Sequence, residues 1–221
     1  MGQCDRMADL RPRRSVQAHR RTAWPVSWLV ALALTGCGTP SPERPAIVPA
    51  TAWGGLPASA TLSAPQQITH LTVHHQGELW QEGADVPAYL RRLQRWSREA
   101  KGWPDVPYHY IVAPDGTVYA GRPPALPGDT NTEYDPQGHL QVMLLGNFEV
   151  QSPTAAQWRS TVRLLAQLLA EHRLAPAALG AHRHHSTQTV CPGANLFARF
   201  DELRAAVATE LALADLARAP R

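Results

Sequence analysis

From residue 68 onward the chain switches repeatedly between two hydrophobic periods, and this alternation restricts the fold more than any other feature. Residues 68–75, Ile-Thr-His-Leu-Thr-Val-His-His, are β-branched and apolar, the composition of a strand. Residues 87–100 instead place Ala88, Tyr89, Leu90, Leu93 and Trp96 at helical spacing behind Pro87, a residue suited to a first helical turn. Residues 108–113 and 117–120 flank Pro114-Asp115-Gly116, which predicts a hairpin. Residues 140–145 read as a buried strand ending at Gly146. Thr154 is placed to cap a helix running to about Arg173, with Trp158, Val162, Leu165, Leu168 and Leu169 on one face. Residues 179–182 form a short strand, and Pro192-Gly193 opens a last helix. Strands interleaved with helices predict an α/β fold, a central mixed β-sheet flanked by helices in a single domain.

The region before this domain has a different character. Residues 23–34 are uncharged and mostly apolar, and Arg11, Arg13, Arg14, Arg20 and Arg21 precede them. A basic flank before a short apolar run reads as a secretory signal and is too short for an ordinary membrane-spanning helix. The run ends in Leu34-Thr35-Gly36-Cys37, which resembles the bacterial lipobox. The expectation is a signal peptide over residues 1–36, with Met7 an alternative start, and a lipidated Cys37 as the first mature residue. Gly38, rather than Asp, after that cysteine points to the outer membrane, facing the periplasm, in a Gram-negative host. Residues 37–66 hold Pro40, Pro42, Pro45, Pro49, Pro57 and Pro65 among small residues, and read as a tether. About 25 such residues span roughly 30 Å as a flexible coil or about 75 Å as extended polyproline. The folded domain is then expected over residues 67–221.

Cleavage before Cys37 changes both the charge and the cysteine count. The chain has 21 basic and 18 acidic residues, and its first 36 residues carry six Arg and two Asp. The mature chain is left with 15 against 16, so the excess of basic residues belongs to the leader. Lys101 is the only lysine, the remaining basic residues are matched by acidic ones, and no nucleic-acid partner is expected. Of Cys4, Cys37 and Cys191, the first is removed and the second lipidated, which leaves Cys191 with no disulfide partner. An unpaired thiol in an oxidising compartment is protected if it binds a metal.

Cys191 ends a stretch, residues 181–191, that also contains His182, His184 and His185. Thiolate and imidazole are the donors zinc prefers, and a catalytic zinc takes three protein ligands and keeps a fourth position open. Cys191 and one of the three histidines can supply two. His74 or His75, at the end of a predicted strand, is the natural third, and because neighbouring strand residues face opposite ways only one of the pair should enter the site.

Several segments fall together in one order: Val73-His74-His75; residues 102–123, which include Gly102-Trp103, Tyr108-His109, Asp115-Gly116 and Gly121-Arg122; Leu145-Gly146-Asn147-Phe148; His182-Arg183; and Cys191-Pro192-Gly193. Over roughly residues 66–205 the chain resembles the zinc-dependent N-acetylmuramoyl-L-alanine amidases related to T7-type lysozyme and to peptidoglycan recognition proteins. The resemblance implies a sheet-and-helix domain of that type and a Zn²⁺ cofactor held by His74, His182 and Cys191. The gap from His182 to Cys191 is nine residues, one longer than in many relatives, which leaves His184 as an alternative to His182. His184 and His185 otherwise read as loop residues, and His109 as a packing or supporting histidine. Tyr108 and Thr189 match the family's catalytic positions, as hydrogen-bond donors to a developing oxyanion.

The implied reaction is hydrolysis, by zinc-activated water, of the amide joining N-acetylmuramic acid to L-alanine, with peptidoglycan or muropeptides as partners and the protein a monomer. Tyr108 is a poor general base at neutral pH, and no glutamate matches that role. The segment between Arg122 and Gln141 departs from the family pattern, and Asn131, Thr132 and Glu133 are its polar candidates for glycan or peptide contacts. Competing readings are a non-catalytic zinc-containing peptidoglycan-binding lipoprotein, a tethering lipoprotein with structural zinc, and an amidase for another wall-peptide bond.

Overall fold

The computed structural model describes residues 45–59 and 65–218; the expected signal peptide (residues 1–36) and lipidated Cys37 lie outside them. The alternating pattern becomes a six-stranded mixed sheet. In chain order the elements are β1 (Ile47–Val48), β2 (His70–His75), α1 (Val86–Lys101), β3 (Tyr110–Val112), β4 (Val118–Ala120), β5 (His139–Leu144), α2 (Ala155–His172), β6 (Leu179–Ala181), α3 (His182–His185), α4 (Ala194–Phe197) and α5 (Phe200–Arg218). Across the sheet the strand order is β1-β4-β3-β5-β2-β6. Only the hairpin pair β3 and β4 is antiparallel.

The helix ends follow from local chemistry. The Asp85 carboxylate accepts from Ala88 N–H (2.9 Å) at the start of α1, and Gly102, at φ 68°, ends it. The Thr154 hydroxyl accepts from Gln157 N–H (3.0 Å) at the start of α2. Both are side-chain caps for otherwise unpaired N–H groups.

Side-chain parity along the strands separates two cores. Leu71 and Val73 of β2 and Leu140, Val142 and Leu144 of β5 face α2 and α5, where Leu165, Leu168, Leu169 and Leu203 meet them. On the opposite face Ile111 and Met143 pack with Leu90 of α1. Residues 70, 72 and 74 share that second face by the two-residue period of a strand. His74 therefore emerges at the end of β2 on the α1 side, and β2 pairs it with Met143 of β5.

The structure corrects the tether expectation for much of residues 37–66. From Pro45 to Ser59 the chain lies against the domain. β1 pairs with β4, and Trp53 is 1% exposed in the α1-side core, its indole N–H donating to Ala120 O (2.7 Å). The buried Gln94 of α1 receives a hydrogen bond from Leu56 N–H and donates one to Leu56 O, both 2.9 Å. The proline content masks these anchors because they are single residues with no periodicity around them.

The apolar residues at helical spacing along α1 do not all enter the core, and Trp96 is 45% exposed. The buried stripe is Leu90, Gln94 and Ser97, rotated toward the N-terminal segment that Gln94 binds. Tyr89, Leu93 and Trp96 flank that stripe and wall a cleft instead. Among the described residues no helix is long and apolar enough to cross a membrane.

Candidate functional site

Three chain segments meet at the end of β2. β2 carries His74 on its α1 face, α3 begins at His182 directly after β6, and the loop after α3 returns to Cys191. Arg183 N–H donates to Cys191 O (3.0 Å), closing the loop at its base. The metal-binding atoms of His74, His182 and Cys191, all buried, lie within 4.8 Å of one another.

The neighbouring histidines separate cleanly. His75 shares the face of Leu71 and Val73, and its Nδ1 accepts from Phe148 N–H (3.1 Å). Its own N–H donates to Cys191 Sγ (3.4 Å). His184 Nδ1 accepts from Ala181 N–H (3.0 Å), and its ring lies against Phe197 and Phe200, so it does not compete with His182. His185, read as a loop residue, ends α3 and packs edge-on to His139 and against Tyr134. His109 is buried, accepts from Gln141 N–H at Nδ1 (2.8 Å) and donates from Nε2 to Leu126 O (2.9 Å). Its role is to join strand and loop backbone.

The donor set fits zinc. Ligand distances of about 2.3 Å to sulfur and about 2.0 Å to nitrogen around a tetrahedral centre put S and N roughly 3.5 Å apart. Cys191 Sγ and His74 Nδ1 are 3.7 Å apart. Burial, then the neighbouring His182, lowers the His74 pKa well below the ordinary histidine value; burial, then His185, brings His182 to about 4. Both imidazoles are neutral at neutral pH, as ligands must be. Burial pushes the Cys191 thiol up to about 12, against a smaller opposing effect of the His75 N–H. Without a cation the thiol stays protonated; a bound metal deprotonates it.

The cluster opens into a cleft of about 640 Å³. Tyr108 lies beside His74, ring centroids 5.3 Å apart, and Thr189 lines the same cleft. Thr189 Oγ1 accepts from Cys191 N–H (3.0 Å), which leaves its own proton free to donate. Burial, then Cys191, holds the Tyr108 phenol well above the ordinary tyrosine range, so it too is a donor at neutral pH.

Of the three polar candidates in the divergent segment, Asn131 and Thr132 line the cleft. Glu133 does not: its carboxylate accepts from Ser186 Oγ (2.5 Å) and Thr187 N–H (3.0 Å). Sequence reasoning missed the opposite wall, formed by Glu78, Arg92, Trp96 and Trp103. Its one visible signal was the wide apolar arc of α1, too broad for a single buried stripe.

The family model for N-acetylmuramoyl-L-alanine amidase matches residues 64–194. Peptidoglycan-recognition protein SC2 of Drosophila simulans is 25% identical over 152 residues, covering 68% of this chain and 82% of its own. The solved N-acetylmuramoyl-L-alanine amidase LysC from Clostridium intestinale superposes with a TM-score of 0.60 at 23% identity, over 73% of this chain and 97% of that one. A complex of peptidoglycan recognition proteins LCa and LCx with tracheal cytotoxin includes a chain that matches with a TM-score of 0.60 at 26% identity, over 69% and 94%. With its mixed sheet, flanking helices and ordered motifs, the chain belongs to the N-acetylmuramoyl-L-alanine amidase family, the type 2 amidases and their peptidoglycan-recognition relatives.

Proposed function

We propose that the protein is a zinc-dependent peptidoglycan amidase that cleaves the bond between N-acetylmuramic acid and L-alanine of the stem peptide. The observation that carries this reading is a buried His74–His182–Cys191 donor set opening into a cleft. Three ligands facing an accessible space are the arrangement of catalytic zinc, whereas structural zinc is closed by four. A bound zinc supplies a Lewis acid and a water whose pKa falls to about 7. The residues of the chain do the rest. His182 and His74 stay neutral, and the cleft accepts the scissile amide beside Tyr108 and Thr189. Both hydroxyls donate toward the oxygen on which charge develops.

Mass spectrometry of the products from purified sacculi tests the reading. The expected products are glycan lacking peptide and free peptides beginning with L-alanine. Fragments cut within the stem peptide would point to another amide bond, and binding without release to a recognition module. Tyr108→Phe isolates the donor role: kcat is expected to fall about 10²-fold with KM little changed, the loss typical of one oxyanion donor. A Tyr108→Phe enzyme of wild-type rate removes Tyr108 from the mechanism.

The same reading places the domain in the cell envelope, anchored through lipid on Cys37 at the periplasmic face of the outer membrane, and acting as a monomer. It rests on the lipobox-like Leu34–Cys37 sequence. Cys37→Ala is expected to move the protein from the membrane fraction to the soluble fraction; membrane retention of that variant rejects the anchor.

A further inference from the structure

We propose that residues 127–135 form a strap that fixes the orientation of His182, and that Thr132 is the positioning residue through which the strap sets metal affinity. This rests on the reading of His74, His182 and Cys191 as ligands. The strap belongs to the segment where the chain departs from its family's pattern.

The strap is fastened at both ends. At its start the buried Arg122 guanidinium binds the Asp129 carboxylate and donates to Pro127 O (2.5 Å). The same guanidinium donates to Val106 O and Asp105 O, both 2.9 Å, which ties the strap to the segment leading into Tyr108. A planar guanidinium with several donors in fixed directions is well suited to hold separate stretches of backbone together. At its far end Glu133 binds Ser186 Oγ and Thr187 N–H, in the loop between His182 and Cys191. The Tyr134 ring then packs against the rings of His182 and His139, with centroids 5.2 Å apart in both cases.

Between these fastenings Thr132 Oγ1 lies 2.8 Å from His182 Nε2 and 2.8 Å from Thr130 Oγ1. With Nε2 engaged, Nδ1 is the nitrogen left free for a metal. A histidine that ligates through Nδ1 carries its proton on Nε2. That proton goes to Thr132 Oγ1, and Thr132 donates its own to Thr130 Oγ1. The chain of hydroxyls thus selects the tautomer and holds the ring plane. His74 has no equivalent support, because its buried Nε2 meets no hydrogen-bond partner among the described residues. The site's outer hydrogen bonding to imidazole therefore falls on the His182 side, where Thr132 Oγ1 is the near partner and Thr130 Oγ1 lies 3.5 Å from the same Nε2.

The experiment measures zinc affinity of the full chain by competition with a chromogenic chelator, together with the melting temperature of the metal-free protein. Thr132→Val keeps the shape and removes the hydroxyl. It is expected to weaken zinc binding about 10–100-fold, the usual effect of losing such an outer partner, with the metal-free melting temperature unchanged. Thr132→Ser restores the hydroxyl and is expected to return affinity to near the wild-type value. Thr132→Val with wild-type affinity, or Thr132→Ser as weak as Thr132→Val, overturns the role of the strap while leaving the ligand set intact. A wild-type protein that binds no zinc instead overturns the ligand reading on which the strap depends.

Discussion

Replacing Cys191 by serine is expected to abolish stoichiometric zinc binding and to lower peptide release from sacculi by about 10³-fold or more. The estimate follows from the several kcal/mol of transition-state stabilisation that a catalytic metal supplies, at about 1.4 kcal/mol per tenfold in rate. Serine keeps the size and the hydrogen bond from His75 N–H but offers no thiolate to the metal. Metal content and product release need to be read together. Loss of both supports the catalytic site. Loss of zinc and of thermal stability with full product release marks the zinc as structural. A variant that retains zinc removes Cys191 from the ligand set. Wild-type protein is also expected to gain stability with added zinc, by about 2.7 kcal/mol when free metal is a hundredfold above Kd, and the Cys191→Ser protein is not.

The second large effect lies far from the cleft. Trp53→Ala is expected to destabilise the domain by about 3–5 kcal/mol, the usual range for removing a fully buried tryptophan. The residue is 1% exposed and its indole N–H donates to Ala120 O, so truncation opens a cavity and leaves a carbonyl without its partner. Urea denaturation at fixed zinc concentration measures the loss. A change below about 1 kcal/mol, ordinary for a surface site, would return the segment to the status of a tether.

These two residues also show what the sequence made legible. Cys191 stood out by chemistry, as a lone thiol among histidines, and the strands and long helices followed from repeated patterns. The choice between His74 and His75 was also within reach, since Leu71 and Val73 mark the core face of β2 and His75 falls on it by parity. Trp53 was hidden because one buried aromatic within a proline-rich run has no period to reveal it. Thr132 was hidden for a different reason. It meets His182 across 50 residues of chain, and only the fold creates that contact. The nine-residue gap before Cys191 resolves in the same way. The Arg183–Cys191 backbone bond fixes the base of the loop, Glu133 holds Ser186 and Thr187, and His182 stands in the cluster with His74 and Cys191.

The short strand β1 has one further consequence, for how neighbouring molecules meet. It covers β4, which would otherwise be an outer strand of the sheet, and Pro45 and Pro49 bracket it. Proline has no N–H to offer an incoming strand, so the ladder cannot extend far along that side. The opposite side ends in β6, three residues long and followed at once by α3. Short, proline-bracketed margins are a common defence against strand-to-strand association. A sheet finished in this way can be held at high local density on a surface without zipping into its neighbours.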